Sequence, residues 1–298
     1  MRGRKITTGV GAMLIAIVLV AAGCGDDDGD GLTVAAASFP ESNILAQIYG
    51  QALEAADIDE DVSVEEDFGA RPALLNGLGD GEVGLTPEYV GALLNELEGP
   101  DTATADTDAD VEALNAALAD DDLVAFEPSE AEDVDALAVT QETADELGLE
   151  TYTDLAAVAG QLTFGGPPEC AEFPACIPGL RDTYGIEFAD FVPLDAGPPI
   201  FEALSNGDID VARVFSTDAA IAENDWVVLV DDQGLNPAQN VIPVARAEFD
   251  TAEIAAVVNA VSAALTTEAL TELNRRVSID REDPEDVAAD FLAENDLD

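Results

Sequence analysis

Short apolar runs alternate with amphipathic helical stretches along most of this chain, and they do so in two successive series. Few folds accept that alternation. Strands separated by helices build largely parallel sheets with helices on their faces, an α/β architecture. In the first series the strands fall at residues 32–37, 62–68 and 83–87, with a helix expected from about Glu88. Ser38-Phe39-Pro40-Glu41 has the spacing of a capping box, with Ser38 as the cap and Pro40 in the first turn. Residues 99–122 are almost all Asp, Thr, Ala and Glu, which predicts a solvated loop containing a helix near 111–118. The second series has strands near 162–164, 191–194, 211–215 and 226–230.

Strands at 123–126 and 136–140 flank one crossing between the series, and a return strand at 241–245 follows a second. Helices at 251–265, 268–275 and 284–294 end the chain. Both ends then belong to one domain, 32–134 with 241–298, and the middle, 135–240, forms another. No repeat of fixed period occurs.

The N-terminus has a separate logic. Arg2, Arg4 and Lys5 precede an apolar run over 9–20, too short to span a bilayer comfortably. It ends in Val20-Ala21-Ala22-Gly23-Cys24. Small residues before a cysteine suit a lipoprotein signal peptidase, so residues 1–23 read as a leader and Cys24 as the lipid-bearing residue. A polar tether follows over 24–31. An ordinary signal peptide with an incidental cysteine is the alternative. Cys170 and Cys176 remain as a pair. Export favours a disulfide between them, whereas a metal site would need ligands that a chain without histidine and without a nearby third thiol does not supply.

The charge excludes one large class of function. There are 64 acidic residues against 10 basic ones, and three of the basic ones lie in the leader. Such a surface repels nucleic acid. A hydrophobic content of 48% separates the chain from disordered acidic proteins, and an acidic habit suited to salty surroundings accounts for the excess. Catalysis lacks a base of the commonest kind, since histidine is absent. No nucleophile elbow, phosphate loop or zinc spacing appears. The sequence therefore calls for no catalytic residue, no cofactor and no metal.

Several segments, in order, carry a resemblance. They include Thr86-Pro87-Glu88-Tyr89-Val90-Gly91, Leu162-Thr163-Phe164-Gly165-Gly166-Pro167-Pro168-Glu169-Cys170, and Cys176-Ile177-Pro178-Gly179-Leu180. Phe191 to Gly197, Ala203 to Val211 and Phe215-Ser216-Thr217-Asp218 also fit. Residues 32–296 resemble the glycine betaine/choline-binding subunits of osmoprotectant ABC importers. That resemblance implies a type II periplasmic-binding-protein fold: two α/β domains, a two-strand hinge and a ligand cleft between them. It also implies an exported monomer that captures a quaternary-ammonium osmoprotectant and delivers it to a membrane permease and its ATPase. A sensory receptor subunit on the same fold is the alternative function.

Relatives surround the ammonium with tyrosines and place basic groups on the carboxylate. Tyr89 matches one tyrosine, while Asp135, Phe215 and Gln239 stand at the other positions. Phe39 and Thr217 complete the expected ligand-binding set. Free N–H groups at helix starts near Ser38–Glu41, Glu88–Tyr89, Asp195–Pro198 and Ser216–Asp218 suit a carboxylate. Arg71 and Arg213 stand out because cations are scarce, and each is expected in a structural ion pair. Phe173 lies near the place where some relatives carry an arginine.

Overall fold

A computed structural model describes residues 31–298 except 57 and 101. The expected leader and Cys24 lie outside the described residues. Among the described residues, ten strands form two five-stranded sheets. The first contains β1 (Gly31–Ala37), β2 (Asp61–Gly69), β3 (Leu85–Tyr89) and β4 (Leu123–Ala125). The second contains β5 (Asp135–Val139), β6 (Thr163–Gly166), β7 (Asp190–Pro193), β8 (Val211–Phe215) and β9 (Val227–Val228). The chain then returns, and β10 (Val241–Arg246) completes the first sheet in the order β2-β1-β3-β10-β4. The second sheet has the order β7-β6-β8-β5-β9. In each sheet three strands run parallel, β1 with β2 and β3, and β6 with β7 and β8. One strand beside them is antiparallel: β10 against β3, and β5 against β8.

The inner strands of each sheet are buried on both faces, which is why β1, β5 and β10 read as nearly continuous apolar runs, whereas the edge strands β2 and β7 stay largely exposed. In β1, Leu32, Val34 and Ala36 pack into one cluster with α1 (Pro40–Ala55) and the three C-terminal helices. Ala35 points the other way, toward α2 (Arg71–Asp80), α3 (Val90–Glu98) and the helix Thr107–Leu118. The second sheet repeats the pattern, with Leu137 and Val139 on one face of β5 and Ala136 and Ala138 on the other. The period-2 alternation of strand side chains sorts each strand into two cores.

The two segments that pass between the sheets lie side by side. Glu132 and Asn240 form an antiparallel bridge, and the Asp133 N–H donates to the Gln239 carbonyl at 3.2 Å. This pair of crossing segments is the hinge.

Two sequence expectations need correction. The capping box at the start of α1 does not form. Phe39 is the N-cap residue and makes no side-chain cap, and Pro40 takes the first helical position. The Ser42 hydroxyl instead accepts the Ala37 N–H at 2.8 Å, and Glu41 turns inward to 6% exposure. The helix expected from Glu88 starts at Val90, because Glu88 and Tyr89 stay in β3 opposite Ile242 and Val241.

Candidate functional site

The C-terminal end of β3 delivers Tyr89 to the space between the sheets. Its position is fixed from several sides. Its ring stacks on Phe39, with centroids 6.4 Å apart and planes 28° apart. Its hydroxyl donates to the Glu41 carboxylate at 2.5 Å. The other Glu41 oxygen accepts from Asn274 Nδ2, also at 2.5 Å, and Asn274 donates in addition to the Thr217 carbonyl at 3.0 Å. The Thr217 hydroxyl in turn donates to Asp133 at 2.8 Å. One network thus ties α1, β3, the helix Thr267–Ser278, the hinge and the second sheet's β8 exit loop together.

Burial governs the protonation of this network. Glu41 is pushed above the usual carboxylate range by burial, although hydrogen bonds from Thr217, Tyr89 and Asn274 pull the other way. Burial, then the nearby Glu41 charge, raises Asp133 to about 7. Asp218 rises to about 6 for the same first reason. Carboxylates this close in a poorly hydrated space do not all ionise at neutral pH.

Both singled-out arginines are paired. Arg71, at the start of α2, binds both Glu88 oxygens through Nε at 3.0 and 2.9 Å. Arg213 reaches Asp135 at 2.5 Å. Asp135 and Phe215 are cross-strand neighbours at the ends of β5 and β8. The pairing with Arg213 changes the reading of Asp135: its charge is already met by a guanidinium and is not free to hold a ligand cation alone.

A cavity of about 370 Å³ opens between the two lobes. Tyr89 and Gln239 line it from the first lobe and the hinge, Asp133 and Asp135 from the hinge and β5, and Phe215 and Phe173 from the second lobe. A neighbouring cavity of about 270 Å³ shares Arg71 and Tyr89 and adds Phe39. Of the six ligand residues expected from sequence, Tyr89, Asp135, Phe215 and Gln239 share the larger cavity. Phe39 lines the smaller one. Thr217 lines neither and stands behind Asp133.

The helix-start expectation does not hold at α3. Its first N–H groups are taken: Val90 donates to the Asn240 carbonyl, Gly91 to the Ala238 carbonyl and Ala92 to the Gln239 side chain. Gln239 is therefore a cap for α3 as well as a cavity wall. Gly91 is needed there, since a β-carbon would meet the Ala238 carbonyl oxygen at 2.5 Å. Asp195–Pro198 lines neither cavity.

Sequence reasoning missed three contributors. Glu41 was hidden by its fit to a capping box. Asp133 was one acid among 64. Phe173 carried a signal in its place between two cysteines. The resulting chamber is aromatic and acidic, with its arginines engaged, and an organic cation is attracted to both aromatic faces and carboxylates. Among the described residues no cluster of His, Cys, Asp or Glu is arranged to hold a metal.

Comparison with known proteins fits this geometry. Residues 30–294 match the family described as the substrate binding domain of ABC-type glycine betaine transport systems. A glycine-betaine-binding protein of Pseudomonas aeruginosa is 29% identical over 282 residues, covering 89% of this chain and 88% of the relative. The carnitine transport binding protein of Listeria monocytogenes is 25% identical over 280 residues, with 92% and 89% covered. A crystal structure of a glycine betaine/carnitine/choline ABC transporter superposes with a TM-score of 0.81 at 25% identity, over 89% of this chain and 99% of that one. The two-lobed fold, the hinge and the match along nearly the whole described chain agree, and this protein belongs to the family of substrate-binding domains of ABC-type glycine betaine transport systems.

Proposed function

We propose that this protein captures a quaternary-ammonium osmoprotectant, of the glycine betaine, choline or carnitine kind, in the cavity between its lobes. The family is one of binding subunits and not of enzymes, and its partners are a small ligand and a membrane permease. The observation that carries the ligand class is the chamber itself: Tyr89, Phe173 and Phe215 around one space, with Asp133 at the hinge. An ammonium bearing methyl groups cannot donate strong hydrogen bonds, so aromatic faces and a diffuse negative field are what recognise it. Residues 32–134 with 241–298 make one lobe and 135–240 the other. Ligand that touches both stabilises the closed arrangement, which is the form offered to the permease.

The protein works as an exported monomer held to the membrane by lipid on Cys24. The sequence pattern before that cysteine supports the anchor. Cys24→Ser should shift the protein from the membrane to the soluble exported fraction, and unchanged membrane attachment would refute the anchor.

Titration calorimetry with glycine betaine, choline and carnitine tests the ligand class. Thermal melting provides the second readout, because ligand at 100 times its dissociation constant adds about 2.7 kcal/mol to the folded state. Heats and melting curves unmoved by all three compounds would refute the assignment.

A further inference from the structure

The loop between Cys170 and Cys176 combines two opposite burials. Its disulfide is sealed in the second lobe's core beside Tyr152, Phe164 and Leu180. The ring of Phe173, midway between the cysteines, is 42% exposed and lines the interlobe cavity together with Ala175.

Little freedom remains in this loop. The Phe173 N–H donates to the Glu169 carbonyl at 2.8 Å, and its carbonyl accepts the Cys176 N–H at 3.0 Å. The loop also lies against the helical turn at Ile177–Gly179. A β-carbon on Gly179 would meet the Pro174 carbonyl oxygen at 2.3 Å, so only glycine permits that approach.

Behind the ring is Arg213. Its guanidinium carbon lies 5.9 Å from the Phe173 ring centroid, and its amino group is held by Asp135. Arg213 does not line the cavity, whereas Phe173 does. The ring therefore stands between the guanidinium end of the Arg213–Asp135 ion pair and the cavity.

We propose that Phe173 is a ligand-contacting residue with two tasks, to offer an aromatic face to the ligand's cationic head and to screen that head from Arg213, and that the Cys170–Cys176 bridge is the positioning element that holds the ring there. This rests on the quaternary-ammonium reading above. The second task follows from Coulomb's law in a poorly hydrated cleft, where the guanidinium end of the Arg213–Asp135 pair, if uncovered, would still disfavour a cation beside it. The first accounts for a large apolar ring left exposed on a loop that hydrogen bonds and a covalent bridge have immobilised. A rigid aromatic wall loses little conformational freedom on binding and so favours affinity.

Choline and glycine betaine binding to the full protein, measured by calorimetry, tests the proposal. Phe173→Leu keeps apolar bulk and removes the π face. It should weaken choline roughly 3- to 30-fold while Phe173→Tyr stays within about twofold of the parent. Phe173→Ala should be weaker still, because it uncovers Arg213. Adding Arg213→Gln should restore more affinity in that background than it adds to the parent, a non-additivity that independent residues would not show. Cys170→Ser with Cys176→Ser should weaken binding in the same direction as Phe173→Leu. If that pair fails to fold, the Phe173 series alone decides. Parent-like binding by both Phe173→Leu and Phe173→Ala would overturn the proposal. If those two bind normally while Phe215→Ala loses affinity, the quaternary-ammonium reading survives and only this inference falls. A parent protein that binds neither compound removes both.

Discussion

The two walls of the cleft are built differently. On the first-lobe side Tyr89 is 8% exposed, stacked on Phe39 and hydrogen-bonded to a buried glutamate. On the second-lobe side Phe215 is 48% exposed at the end of β8, where its N–H is held by Asp218 at 2.8 Å. One wall is formed before ligand arrives, and it shares its packing with the core. The other presents apolar surface that the proposed closure around a ligand would bury. A half-site that is finished early confers stability on the free protein. A half-site that is finished late places its burial energy in the closed, occupied state, where it biases the equilibrium.

That contrast predicts unequal consequences of similar truncations. Tyr89→Ala removes a buried aromatic and leaves Glu41 short of a donor. It should cost about 3–5 kcal/mol of folding stability and also more than tenfold in affinity, read by denaturant unfolding and calorimetry. Phe215→Ala should cost roughly tenfold in affinity with the melting temperature almost unmoved. Should Phe215→Ala destabilise the free protein as much as Tyr89→Ala, the contrast between the walls is false.

A smaller effect probes the hinge between them. Asp133 has its folded-state value raised from 3.8 to about 7 by burial and by Glu41. A carboxyl raised in this way contributes stability that is complete below its unfolded value and is lost as pH rises through the folded one. Glu41, Asp218 and Asp135, which add to the field at Asp133, are raised as well and act in the same sense. The ligand-free protein should therefore melt higher at pH 5 than at pH 8. Affinity for a cation should move oppositely, falling severalfold over the same interval as the carboxyl takes up a proton. Asp133→Asn should flatten part of both trends, with the remainder carried by its raised neighbours, and curves unchanged by it would place the titration elsewhere.

Much of the scaffold could be read from residues alone, and the reasons are local. Apolar runs bounded by turn residues marked the strands, and the scarcity of arginine marked Arg71 and Arg213 as partners in ion pairs. The misreadings are places where a distant segment prevails over local pattern. Glu88 and Tyr89 look like a helix start, but β10, some 150 positions on, holds them in the sheet. Ser38 and Glu41 have capping-box spacing, yet Asn274 and Tyr89 draw Glu41 into the interior. Asp135 looks like an open acid until Arg213 is placed two residues from its cross-strand partner. No single-sequence pattern encodes such pairings, because they depend on which strands become neighbours.

The place of β10 has a consequence for how the molecule assembles. It lies between β3 and β4, but it is made only after the entire second sheet. The first sheet must wait for a contact such as Tyr89 with Val241, whereas every strand of the second sheet falls within residues 135–228. Closing the longer loop has the greater entropic cost, and non-local pairing slows folding. The lobe synthesised in the middle should thus be the first to become ordered. The protein contains its own reporter of that order, since its single tryptophan, Trp226, is buried in the second lobe's core. During refolding, tryptophan emission should reach its native value before ligand-binding competence returns, and a common time course for the two would show that the lobes fold as one unit.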